Sequence, residues 1–153
     1  MDNHVVTFGT FDLFHHGHAR FLQLCNRIAP GNVTVFINSD EYMKGYKASP
    51  VLTEYERMAV LHSCKYVNDV KVCENGRSIA QDLAIARGTQ HQRFKTHFLA
   101  IGSDWMDKDY CKHVGVTEEE LLKWGYVLIY LPYTKEINTS GIKWRVQANG
   151  NKR

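Results

Sequence analysis

Three histidines fall within four residues, His15, His16 and His18, with Gly17 between them. Imidazole N–H groups are hydrogen-bond donors at neutral pH, and if a helix starts near His15, then His15 and His18 share a face and reach one point. A helix start adds unpaired backbone N–H groups and the positive end of the helix dipole, and Gly17 lets the chain come close. This constellation suits phosphate chemistry, in which preorganised donors meet charge as it builds and no covalent intermediate is needed. Two other readings compete with it. One histidine at a helix start is more often a cap or a surface residue, although three in four residues is unusual. A zinc site would need later Cys or His ligands at metal-site spacing, which this short segment lacks.

Three further stretches carry candidates. Lys44-Gly45-Tyr46-Lys47 is a glycine-bearing loop that could bring one or two ammonium groups onto phosphates, although loop lysines are usually just solvated. Ile101-Gly102-Ser103-Asp104-Trp105 reads by itself as a strand exit with a core tryptophan, yet Asp104 could accept hydrogen bonds from an amine or hydroxyls. Thr139 and Ser140 could cap a last helix, and their hydroxyls and N–H groups could also hold phosphates. Arg57 is either a helix ion pair or a site residue, and Arg77 either touches a phosphate or faces water.

The elements that must position these residues follow from periodicity. Val5 to Phe8 is a β-prone run ending at Gly9, and Phe21, Leu24, Cys25 and Ile28 recur at helical spacing up to Pro30-Gly31. Val33 to Ile37 is apolar on both faces, as a strand buried under helices must be. The stretch from Asp40 to Thr53 lacks periodicity. A helix through Tyr55, Met58, Ala59 and Leu61 follows, which Thr53 can cap. Val70 to Val72 predicts a third strand, Ser78 to Arg87 a helix closed by Gly88, and His97 to Ile101 a fourth strand, with 89–96 polar and unassigned. Thr117 and Glu120 form a capping box, and Gly125 closes that helix before the strand Tyr126 to Leu131. The last helix begins near Thr139 or Ser140 and carries Ile142 and Val146 on one face. Five strands alternating with helices predict one Rossmann-like α/β domain over 1–153, doubly wound on a mainly parallel sheet. Ligands of such sheets bind beyond the carboxyl ends of the strands, where the candidate loops lie.

Composition narrows the function. Nineteen basic against 16 acidic residues leave a net charge of +3, too small and too scattered for a nucleic-acid surface. Cys25, Cys64, Cys73 and Cys111 form no C-x-x-C pair, so buried free thiols are expected. No apolar run is long enough for a signal peptide or a membrane span, which points to a cytoplasmic protein.

The histidine segment resembles the H-x-G-H signature of the nucleotidyltransferase superfamily, and Gly9-Thr10-Phe11-Asp12-Leu13 is similar to its cytidylyltransferase form. The likeness runs from about Val5 to Lys143. It is nearest to the cytidylyltransferases of glycerol-3-phosphate, and then to those of choline- and ethanolamine-phosphate. Glu56-Arg57 resembles the family's E-x-R helix. Lys65-Tyr66-Val67-Asn68-Asp69-Val70 resembles its R-Y-V-D-x-V segment, with lysine where arginine is usual. Ile101 to Trp105 resembles G-x-D-W, and Thr134, Ile137, Thr139 and Ser140 match R-T-E-G-I-S-T-S/T. There Tyr133 replaces arginine, Lys135 and Glu136 replace Glu-Gly, and Asn138 replaces the first serine. The resemblance implies transfer of CMP from CTP to a phosphorylated small alcohol, with magnesium on the triphosphate. His15, His18 and Lys44 would be catalytic. Gly9, Thr10, Phe11, Gly17, Asp104, Trp105, Thr134, Ile137, Thr139 and Ser140 would join them around the nucleotide. Lys44, Lys47, Arg57 and Arg77 would face the acceptor, and Asp12 could touch the magnesium indirectly. A homodimer is implied as well. The rivals are use of ATP in place of CTP and a non-catalytic nucleotide-binding module.

Overall fold

The computed structural model describes residues 2–46, 48–74, 77–88 and 94–152. Its strands are β1 (Asp2–Gly9), β2 (Val33–Asn38), β3 (Asp69–Cys73), β4 (Phe94–Gly102) and β5 (Tyr126–Leu131). They form one all-parallel sheet in the order β3-β2-β1-β4-β5. The helices are α1 (His16–Ile28), α2 (Asp40–Met43), α3 (Glu54–Ser63), α4 (Ile79–Gly88), α5 (Tyr110–Val114), α6 (Glu118–Lys123) and α7 (Thr139–Gly150), with a 3₁₀ turn at Ser103–Trp105.

Successive side chains of a strand point to opposite faces, so a sheet covered on both sides must be apolar at every position. Val5 enters one core with Leu22, Val35, Ile37 and Leu61, while its neighbour Val6 enters the other with Phe36, Leu83, Leu99, Leu121 and Tyr126. The Val33 to Ile37 run is buried throughout for this reason. Strand order reverses at β1, between β2 and β4, which opens a crevice at the carboxyl ends of β1 and β4.

Local signals fix where the helices begin. Thr53 with Glu56 and Thr117 with Glu120 form the capping boxes that start α3 and α6. Gly125 ends the second of these in the left-handed region at φ 83°. The structure differs from the sequence reading where elements are short. The stretch after Asp40 opens with α2, capped by Ser39, and the 3₁₀ turn and α5 also lie outside the expected elements. Three to five residues carry too little periodicity to register. In α7, Ile142 is half-buried but Val146 is 67% exposed, so the expected common face does not form. All four cysteines are free; Cys25 and Cys111 are buried, and Cys64 and Cys73 are half-buried.

At the opposite end of the sheet from the crevice, His4 Nδ1 lies 3.0 Å from His97 Nδ1 and its Nε2 lies 2.9 Å from Thr34 Oγ1. Burial, with His97 second and against a weaker pull from Asp69, lowers the His4 pKa to about 4. The unfolded chain therefore takes a proton at His4 as pH falls below 6.5, whereas the folded chain resists until about 4. Stability from this group is complete above pH 6.5 and is lost between 6.5 and 4, by roughly 3 kcal/mol. Urea midpoints measured across this range should fall with acidity, and His4→Gln should flatten the slope.

Candidate active site

The segment from β1 to α1 is held in an unusual shape. Phe11 and Leu13 adopt positive φ of 53° and 48°, a left-handed conformation that costs each of these side chains on the order of 1 kcal/mol. Contacts around them impose it. Gly9 is required beneath Phe11, because a Cβ there would lie 2.8 Å from the ring. Buried Asp12 accepts backbone N–H bonds from Val51 at 2.8 Å and Leu52 at 2.9 Å, and its carbonyl accepts from Thr139 Oγ1 at 2.9 Å. Asp12 is thus a tie between this loop, the segment after α2 and the start of α7.

The two histidines form the cap of α1. His15 is the N-cap, and its Nδ1 accepts from the N–H of Gly17 at 3.1 Å and of His18 at 3.4 Å. His18 Nδ1 reciprocates by accepting from the His15 N–H at 3.3 Å. This is the geometry of a capping box with imidazoles in place of the usual hydroxyl and carboxylate. It also fixes the tautomers, since a ring whose Nδ1 accepts must carry its proton on Nε2. The rings stack with centroids 3.7 Å apart at 18°. Burial, followed by the neighbouring His15, lowers the His18 pKa to about 3, and burial, followed by His16, lowers that of His15. The site therefore offers two uncharged Nε2–H donors side by side at a helix N-terminus.

Both rings line a cleft of about 260 Å³ in the crevice between β1 and β4. Gly9, Thr10, Phe11 and Gly17 join them from the first loop, Asp104 and Trp105 from the exit of β4, and Thr134, Ile137 and Thr139 from the exit of β5. A Cβ on Gly102 would lie 2.5 Å from Asp104 Oδ1, so a side chain there would push that carboxylate aside. The Tyr133 N–H donates to Ser103 Oγ at 3.0 Å, which joins the second and third of these segments. Asn138 caps α7 by accepting from the Gly141 N–H at 2.7 Å, so the residue in place of serine keeps the helix start. Its position three residues before Gly141 was the available sequence signal. No spacing rule would have found the Asp12 tie.

Gly17 sits where space is shortest. A Cβ on it would lie 3.0 Å from His15 Cε1 and Nδ1 and 3.1 Å from Ile137 Cγ2. Gly17→Ala should therefore displace the His15 ring by a few tenths of an ångström. A full ångström of misplacement costs on the order of 10²-fold, so steady-state kinetics should show a fall in kcat of about tenfold with little change in the thermal midpoint.

Other expected residues lie elsewhere. Ser140 is exposed and off the cleft wall. Lys44, at the end of α2, is exposed and paired with Glu41 at 2.6 Å, outside the cleft. Lys47 lies outside the described residues. Arg57 is fully buried and donates to the carbonyls of Leu52, Thr10 and Asn38 and to Asp40 Oδ1 at 2.8 Å. Its guanidinium braces the site loops from behind and lines neither this cleft nor the second one, so its place is that of the ion-pair reading and not against the acceptor. Arg77 borders a second cleft of about 610 Å³ under α2 and α5, which shares Phe8, Gly9, Thr10, Trp105 and Tyr110 with the first. There it is paired with Asp82 and Glu74 and donates to the Val72 carbonyl.

The sequence model of the family described as cytidylyltransferase-like matches residues 6–145, which span every segment of this cleft. The chain belongs to the cytidylyltransferase-like family. It is 28% identical to the glycerol-3-phosphate cytidylyltransferase of Bacillus spizizenii over 145 residues, which cover 91% of this chain and 93% of that one. It is 40% identical to human choline-phosphate cytidylyltransferase A over 63 residues, 40% of this chain and 17% of that one. In fold it is similar to the lipopolysaccharide core biosynthesis protein of Thermoplasma volcanium, with a TM-score of 0.65, 16% identity, and coverage of 88% of this chain and 98% of that one. As its named homologues are nucleotidyltransferases, this cytidylyltransferase-like chain is an enzyme of that class. Among the described residues no helix is long and apolar enough to cross a membrane.

Proposed function

We propose that this enzyme transfers CMP from CTP to the phosphate of a small phosphorylated alcohol, with glycerol-3-phosphate the first acceptor to offer. The observation that carries this reading is the pair of neutral, stacked imidazoles whose Nε2–H groups are fixed by their own helix cap beside the crevice. An acceptor phosphate oxygen attacks the α-phosphorus in line, the bond to the bridging oxygen breaks, and pyrophosphate leaves with that electron pair. The acceptor phosphate is already ionised, so no protein base or nucleophile is required. His15 and His18 donate to the α-phosphate and the bridging oxygen, where negative charge grows. Asp104 and Trp105 meet the nucleoside, and Thr134, Ile137 and Thr139 the phosphate tail. Lys44 leaves Glu41 to draw the two anions together, and Lys47 assists it.

Magnesium fits this reading as a companion of the triphosphate. The Asp12 oxygens are taken by the Val51 and Leu52 N–H groups, and among the described residues no three Asp, Glu, His or Cys side chains converge. The phosphate oxygens are then its ligands, and the ion supplies charge neutralisation. A cytoplasmic homodimer belongs to the same proposal, and sedimentation of the purified protein tests the dimer.

The decisive experiment is pyrophosphate release with magnesium and CTP or ATP against a panel of phosphorylated alcohols, with His18→Ala as control. CTP-dependent release that disappears in the variant is the expected result. Release with ATP alone would reassign the base, and CTP binding without release for any acceptor would replace catalysis with a binding module.

A further inference from the structure

The first cleft is the one that would receive a triphosphate, yet it brings almost no positive charge to it. Among its described lining residues there is no lysine or arginine, and the one acidic side chain is Asp104. The two imidazoles leave this balance unchanged, because a ring whose Nδ1 accepts a backbone N–H is neutral. They also occupy the N–H groups of His15, Gly17 and His18, so the start of α1 keeps its dipole but commits these donors to its own cap.

Neighbouring cations are held elsewhere. Arg57 is buried behind the loops against three carbonyls and Asp40. Lys143 Nζ lies 3.4 Å from the Ser49 carbonyl and 3.9 Å from Asp12 Oδ2, and Lys44 reaches a phosphate only by leaving Glu41. Tyr133 occupies the wall position that the resembling signature gives to arginine. Its N–H is anchored to Ser103 Oγ at 3.0 Å, next to Asp104 in the chain, and the residue is 41% exposed. A phenol offers a hydroxyl and a ring face but no positive charge. Phosphate oxygens drawn out of water into such a crevice need opposing charge, and here that charge has to arrive with the ligand.

We propose that Tyr133 is a specificity-determining residue: by keeping this cleft without a fixed cation, it makes the protein select a triphosphate that already carries magnesium over the free nucleotide. The inference rests on the transfer reading, and concerns the form in which the nucleotide is bound. A cation at position 133 would supply from the wall what the ligand otherwise brings, and the preference for the metal-bound form would shrink.

Calorimetric titration with CTP and no acceptor tests this, once with magnesium in excess and once with a chelator. The parent protein should bind the metal-bound form at least about tenfold tighter than the free form, the scale of one charge-assisted contact. In Tyr133→Arg, free CTP should gain about tenfold while the metal-bound form gains little, so the ratio falls toward one. Tyr133→Lys brings the charge in another shape and should move the ratio the same way, whereas Tyr133→Phe removes only the hydroxyl and should leave it in place. Thermal midpoints show whether each variant is folded. Equal affinities of the parent for the two forms, or a ratio that neither the arginine nor the lysine variant lowers, would overturn the inference. Because the readout is binding, it separates from the parent reading. Pyrophosphate release with CTP from a protein that binds both forms equally would sink this proposal alone. Selective binding of the metal-bound form with no release for any acceptor would keep the role of Tyr133 and sink the transfer reaction.

Discussion

His18→Ala should lower kcat/KM on the order of 10³-fold, about 4 kcal/mol of transition-state stabilisation, because one preorganised donor to the growing charge is removed. The loss has two separable parts. The alanine also deletes the acceptor for the His15 N–H, and a lost cap costs about 1 kcal/mol of stability. Thermal unfolding measures that second part alone. His18→Asn is the informative companion, since its amide can still accept from the His15 N–H. A variant that regains stability without activity would assign the larger part to the Nε2–H donor. Comparable recovery of both would mean that the ring acts only through the helix cap.

Arg57→Met should be the most destabilising single change at the site, by about 3–5 kcal/mol, although Arg57 borders neither cleft. The guanidinium is fully buried, and its loss leaves the Thr10, Asn38 and Leu52 carbonyls without their donor and Asp40 without its ion pair. Each stranded polar group costs about 1–3 kcal/mol. Three segments converge on this side chain: the loop after β1, the end of β2 and the approach to α3. Urea denaturation should show the midpoint falling sharply, while whatever protein stays folded keeps a measurable affinity for CTP. A stability within about 1 kcal/mol of the parent's would mean that water replaces all four interactions.

The sheet was legible because its signal is redundant. Val33 to Ile37 is apolar at every position, Tyr126 to Leu131 is bounded by Gly125 and Pro132, and three helices announce their starts through side chains three residues apart. The histidine site was legible for the same reason, since cap and donors occupy one short segment. What escaped depends on contacts between distant residues. Whether Arg57 meets solvent, substrate or three carbonyls is decided by loops 5 to 47 residues away, and nothing local records the outcome. Arg77 was ambiguous for another reason: Glu74 and Asp82 are only three and five residues away, but outside a continuous helix that spacing does not say whether they meet it. Tyr42 sits on a helix of four residues, too short to show which face its ring would take.

The bond from Thr139 Oγ1 to the Asp12 carbonyl spans 127 residues of chain. During synthesis the five strands can all pair once Leu131 has emerged, yet the wall that Thr134, Ile137 and Thr139 lend to the crevice is still missing. A ribosome must therefore deliver the chain through Thr139 before this pocket closes, so a nascent or clipped product ending near Leu131 would be an assembled sheet with an open-sided, incompetent site.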